Sequence, residues 1–115
     1  MTVQEFYQQI NGDYEGVLQR LMDDERIRKF VKRFPEEKLY EQLNDAIARE
    51  DYADAFRCVH SIKGVCMNLG MSVLQKSSSE LCEALRDGKK PENLKELYEA
   101  VKEDYEHVIR GIGEL

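Results

Sequence analysis

Residues 51–70 read DYADAFRCVHSIKGVCMNLG, and their apolar members recur every three or four positions. Tyr52, Ala55, Phe56, Val59, Ile62, Cys66 and Leu69 share one stripe of a helix, whereas a strand would scatter them over both faces. Asp51, with Asp54 three residues on, has the pattern of an N-terminal cap, and Gly70 is the residue expected to close the other end. A helix this long with a single apolar stripe needs partners along that stripe.

The partners are legible on either side. Upstream, Leu39, Leu43, Ala46 and Ile47 continue the helical spacing to about Arg49, and Glu36 and Glu37 suit the positive end of that helix. Ile27, Phe30, Val31 and Phe34 form a further stripe that runs up to Pro35, where helix is disfavoured. Tyr14, Val17, Leu18, Leu21 and Met22 form another, with Asp13 as its cap and Asp23 or Asp24 as a restart. At the N-terminus Thr2 can cap a short helix carrying Val3, Phe6, Tyr7 and Ile10, which Gly12 is placed to end; it reads as a lid on the bundle.

Downstream, a helix from about Ser72 turns Leu74, Leu81 and Leu85 inward and ends near Gly88. Pro91 suits the first turn of a last helix with Leu94, Leu97, Tyr98, Val101, Tyr105, Val108, Ile109 and Ile112 at three- and four-residue spacing. No stretch alternates with period two. The connections at Pro35, Glu50, Gly70 and Gly88 to Lys90 are short, so successive long helices should run antiparallel. The expectation is an all-α fold, an antiparallel up-and-down four-helix bundle with additional short N-terminal helices, in which residues 1–115 form a single domain.

Composition narrows the function. A net charge of -6 disfavours nucleic acid as a partner, because neutralising phosphates needs a basic face. No apolar run approaches membrane-spanning length, and Met1 to Ile10 is polar rather than a signal sequence, so a cytoplasmic protein without a membrane partner is expected. Cys58, Cys66 and Cys82 are three, and none lies in C-x-x-C spacing, so they read as reduced thiols filling the core. The initial Met1 favours a free-standing protein.

At about 100° per residue, His60 points roughly 120° from the centre of its helix's apolar stripe and should be exposed. Arg57 and Lys63, three residues to either side, lie within reach of a group attached to the imidazole. Phosphoryl transfer asks little covalent chemistry of a protein beyond alignment and stabilisation of charge on the phosphoryl oxygens, and a cation such as Lys63 suits the latter. Gly64 is costly in mid-helix; facing outward, it leaves room for another protein to approach His60. Neutral imidazole is a competent nucleophile near neutral pH. The chain has no P-loop, kinase-like glycine loop or magnesium-binding carboxylate set, so His60 is expected to accept phosphoryl groups from machinery elsewhere.

The run His60-Ser61-Ile62-Lys63-Gly64-Val65-Cys66-Met67-Asn68-Leu69-Gly70 resembles the signature of histidine-containing phosphotransfer (HPt) domains. The match combines histidine, lysine and glycine at offsets of three and four with the Asn68-Leu69-Gly70 ending, and fit to the family extends over roughly residues 13–112. The resemblance implies a phosphoryl carrier, not an enzyme in its own right. It would relay phosphate between response-regulator receiver aspartates in two-component signalling, with a hybrid sensor histidine kinase among its partners. His60 matches the phosphorylated residue, Lys63 the one that balances phosphate charge and Gly64 the one that admits the receiver. No cofactor or metal on this chain is implied; Mg2+ is expected in the receiver, and the chain is expected to be a monomer.

Family members often place a glutamine or glutamate on the following helix to hydrogen-bond the imidazole, and here the matching position holds Cys82. Antiparallel geometry makes Ser79, Cys82 and Glu83 the candidates to orient the ring. Ala53, Met67 and Asn68 join Gly64 in a small docking face around His60. Phe6 and Tyr7 are expected in the core, with an extension of that face as the alternative. A metal site using His60 with Cys58, Cys66 or His107 is disfavoured, since those thiols fall on another helix face, and His107 reads as an ordinary surface or boundary residue. The competing function is a helical interaction or scaffold module that carries no phosphate.

Overall fold

The computed structural model describes all 115 residues. The chain is helical throughout: α1 (Val3–Gln9), α2 (Tyr14–Leu21), α3 (Asp24–Arg33), a 3-10 turn (Phe34–Glu36), α4 (Leu39–Ala48), α5 (Tyr52–Asn68), α6 (Ser72–Ala84) and α7 (Leu94–Gly113). The expected all-α bundle is present. Helices α4 to α7 pack in sequence, α5 lying between α4 and α6, and α6 against α7. Aromatic contacts close the bundle between its first and last members: Tyr40 of α4 stacks on Tyr105 of α7 at 3.7 Å between centroids, and the Tyr98 hydroxyl donates to Asn44 Oδ1.

Local chemistry sets the helix boundaries much as expected. Thr2 and Glu5 form a reciprocal capping box on α1, and the Asp13, Asp23 and Asp51 carboxylates accept from the third backbone N–H of α2, α3 and α5 respectively. Gly70 closes α5 with φ +65. Along α5, Ala55, Cys58, Val59, Ile62, Cys66 and Leu69 are buried, while Tyr52 and Phe56 are half-covered.

Four expectations need correction. Gly12 does not supply the left-handed turn that ends α1; Asn11 does, at φ 52, a conformation its short amide side chain tolerates. Gly12 is required for another reason, since a Cβ there would come within 2.6 Å of the Gly70 carbonyl oxygen. Met22 and Phe30, read as members of apolar stripes, are 73% and 41% exposed: Met22 turns away at φ 80 just past α2, and Phe30 lies on the edge of a stripe whose centre is Ile27, Val31 and Phe34. Pro91 sits ahead of α7 rather than in its first turn, its carbonyl accepting from Leu94 N at 3.3 Å.

α1 is wholly integrated into the core, with Val3, Phe6, Tyr7 and Ile10 all buried. It covers the end of the bundle where α5 turns into α6. Gly111 on α7 lets Phe6 in, because a Cβ there would stand 3.0 Å from the Phe6 ring. The Tyr7 hydroxyl donates to the Leu69 carbonyl at 2.6 Å, and Asp13 N donates to Gly70 O at 2.8 Å. Arg20 on α2 reaches the Met67 and Asn68 carbonyls, both at 3.0 Å. His107 on α7 ties its ring nitrogen to Gln9 O at 3.0 Å, a boundary role.

These contacts define two stability tests. Tyr7→Phe keeps the ring and removes only the buried bond to Leu69, and it should cost roughly 1–2 kcal/mol by urea denaturation. Gly70→Ala should cost roughly 1–3 kcal/mol, because its added Cβ enters left-handed backbone and meets Val17 Cγ2 at 2.3 Å and Asp13 O at 2.7 Å.

Candidate functional site

The outward face of α5 carries Ala53, Arg57, His60, Gly64, Met67 and Asn68, each exposed or, for Gly64, partly so. The helix offers these positions to solvent because its opposite stripe is taken up by the core, and α4 and α6 cover its flanks. His60 is exposed, as its place on the helix wheel requires. A Cβ built on Gly64 meets nothing within 4 Å, so close helix packing does not explain that glycine. The surface one turn beyond the imidazole is open.

The two cations near His60 differ in freedom. Arg57 is bound by Nε and Nη2 to Asp54 Oδ1, at 3.0 and 2.6 Å. Asp54 also accepts from Arg49 at 3.0 Å, and Arg49 reaches Asp45 at 2.8 Å, a network that straps the end of α4 to the start of α5. The hydrogen bond from Arg57 leads the causes that hold the Asp54 carboxyl below its ordinary range. Arg57 is thus directed backward along α5, away from His60, which counts against its expected place beside the imidazole. Lys63 has no carboxylate within ion-pair distance. It is half-buried toward α6, near enough that its charge favours the ionised forms of Cys82 and Glu83.

None of the three candidates on α6 orients the ring by hydrogen bonding. Cys82 is buried, and burial raises its thiol above the ordinary value. Glu83 is committed to Arg86, whose Nε lies 2.9 and 3.0 Å from its two oxygens. Ser79 is half-buried and makes no side-chain bond to α5. The neighbour that does face His60 is Phe56, one turn back on α5, with ring centroids 5.9 Å apart. Its i, i+4 spacing was visible in the sequence, but its place on the apolar stripe assigned it wholly to the core.

The exposed surface around His60 also extends beyond α5. Met67 is 49% exposed, and Asn68 lines a shallow groove of about 290 Å³ together with Phe30, Arg33, Phe34, Glu37, Val65 and Leu69. Phe30 and Arg33, which pack ring against guanidinium at 5.9 Å, bring α3 to this surface. Ala53 stands at the other end of the face, its Cβ close to the turn at Gly88. Phe6 and Tyr7 are buried and take no part. Cys58 and Cys66 are buried beneath the face that exposes His60, so the three do not converge on one metal, and no three His, Cys, Asp or Glu side chains are grouped to hold one.

All three cysteines are free and buried, and burial pushes the Cys66 thiol up to about 12. Thiolate is the reactive form, so an aromatic disulfide reagent at pH 8 should label none of the three rapidly in the folded protein and all of them in denaturant. Gly64→Ala should leave the fold intact and raise stability by up to about 1 kcal/mol, read by thermal melting, since the site has space for the methyl group.

A family model for the Hpt domain matches residues 27–111, from within α3 almost to the end of α7, and so includes His60, Lys63, Gly64 and the helices that pack around them. No curated protein and no solved structure matches the chain. No helix is long and apolar enough to cross a membrane. With the helical bundle, an exposed histidine on α5 and a family match over well over half of its length, the chain belongs to the Hpt-domain family.

Proposed function

We propose that this protein carries a phosphoryl group on His60 and exchanges it with aspartates of response-regulator receiver domains, in a two-component phosphorelay fed by a hybrid sensor histidine kinase. The observation that carries this reading is an exposed imidazole, one turn from a glycine with nothing over it, on a helix otherwise packed into a bundle.

In the forward step a ring nitrogen of neutral His60 attacks the phosphorus of a receiver aspartyl phosphate. The N–P bond forms as the P–O bond to the aspartate breaks, the electron pair leaves with the carboxylate, and the proton on the other ring nitrogen can pass to solvent. The reverse step returns the group. Charge on the three phosphoryl oxygens needs a cation that is not already neutralised, and Lys63, with no ion-pair partner, fits that need better than Arg57. Asp54 on α5 and Glu83 on α6 are both held by arginines, which supports the reading that Mg2+ is supplied by the receiver. The chain acts as a carrier whose transfer chemistry is completed by its partner in the cytoplasm.

Incubation with phosphorylated receiver domains tests this directly. The native protein should acquire an acid-labile, base-stable label that His60→Gln lacks. Lys63→Ala should slow transfer by up to roughly a hundred- to a thousand-fold, the scale of losing one charge-stabilising group, with its circular dichroism unchanged. Gly64→Gln should raise KM for the receiver, and transfer at the native rate would defeat the access argument. A folded native protein that takes no label from any receiver would be a scaffold module instead.

A further inference from the structure

His60 receives no hydrogen bond from α6, yet its ring is not without a neighbour. The Phe56 ring lies 5.9 Å away, centroid to centroid, inclined at 36°, within the range of about 4.5–7 Å where aromatic rings attract one another. Phe56 is half-buried, so it moves less freely than the exposed imidazole. Its ring is covered in turn by Arg86, whose guanidinium carbon stands 5.6 Å from the Phe56 centroid. Arg86 is anchored by Nε to both oxygens of Glu83, at 2.9 and 3.0 Å. Glu83, Arg86, Phe56 and His60 therefore form one continuous series from α6 to α5.

We propose that Phe56 is a positioning residue for His60, held in place by Arg86 and Glu83, and that this packing does for the ring what a hydrogen bond from the position of Cys82 would otherwise do. The inference rests on His60 being the phosphoryl acceptor. A helical side chain leans back over the residue four positions earlier, so the imidazole has Phe56 beneath it. The aromatic wall restricts the ring's torsions while leaving its nitrogens unbonded to protein. Arg86 is attracted to the Phe56 ring as a cation to a π face, and its two contacts with Glu83 keep the guanidinium from swinging away. In-line transfer is sensitive to such alignment, because small misplacements of a reacting group cost large factors in rate.

Three variants of the full chain test the proposal: Phe56→Leu, Phe56→Tyr and Arg86→Gln. In the unphosphorylated protein, NMR of the His60 ring protons should show the Phe56 ring-current shift in the native and Tyr proteins. In the Leu variant that shift should vanish and the ring signals should narrow toward those of a mobile imidazole. With phosphorylated receiver as donor, Phe56→Leu should lower kcat by roughly ten-fold while KM stays within about two-fold, the pattern of lost alignment without lost docking. Phosphoramidate, a small donor that needs no docking face, should show the same loss. Phe56→Tyr should restore the rate, and Arg86→Gln should fall between.

Native kcat and unchanged His60 signals in Phe56→Leu would overturn the proposal, as would an equal loss of rate in Phe56→Tyr. If neither donor labels the native chain, the acceptor reading itself fails and the effect of Phe56 on transfer falls with it; the ring signals then still decide whether Phe56 orders the imidazole.

Discussion

The structure depends on how the C-terminal end of α5 is finished. A helix leaves its last carbonyls without intrahelical partners, and here they point into a crowded junction of α1, α2 and the α5–α6 turn. Val65 and Cys66 O accept from Leu69 N and Met71 N, both at 3.0 Å. Met67 and Asn68 O accept from Arg20, Leu69 O from the Tyr7 hydroxyl, and Gly70 O from Asp13 N. Every carbonyl from Val65 to Gly70 thus finds a donor. Arg20 also brings a positive charge to the negative end of the helix dipole. The donors of the last four come from residues outside the family match, which begins at Ile27, so the short N-terminal helices belong to the bundle in energetic terms.

That finished end also steadies the helix at His60, about 12 Å back along the axis at the helical rise. With its far end capped and its near end strapped to α4 through Arg49, Asp51 and Asp54, α5 is held at both termini, and its exposed face presents a fixed surface. Charge on that face is arranged in pairs: Arg57 with Asp54, Arg86 with Glu83. Surface pairs such as these contribute little to stability. Their effect here is positional, keeping two guanidiniums in defined places and leaving Lys63 as the cation without an ion pair beside the imidazole. The apolar part of the face is small, Met67 on α5 and Phe30 on α3.

Much of this was legible one residue at a time. Thr2, Asp13 and Asp51 cap helices through bonds to N–H groups three residues on, and such bonds are local enough to be read from spacing. The stripes of α5 and α7 are long, so their periodicity averages over small misfits, and the outward direction of His60 follows from the same rotation. The residues that were misread stand at stripe edges or helix ends. Phe30 belongs to a three-turn stripe, where one edge position is buried only if a neighbouring helix happens to extend over it. Met22 follows the last turn of α2, where the period no longer governs direction. The resemblance to HPt domains pointed to His60; it did not say which of the surrounding cations is free.

By itself, then, the sequence determined the helical class, the order of the bundle, the caps and the exposure of His60 beside Lys63 and Gly64, because each of these depends on residues within a turn or two of one another. Only the tertiary structure decided that Arg20 and Tyr7 close the end of α5, that Asp54 draws Arg57 back along α5, and that Glu83, Arg86, Phe56 and His60 lie in one series. The first pairs residues 48 and 62 positions apart. The others turn on which of several nearby partners a flexible charged side chain selects, and that choice is made by packing between helices, which spacing along one helix does not encode.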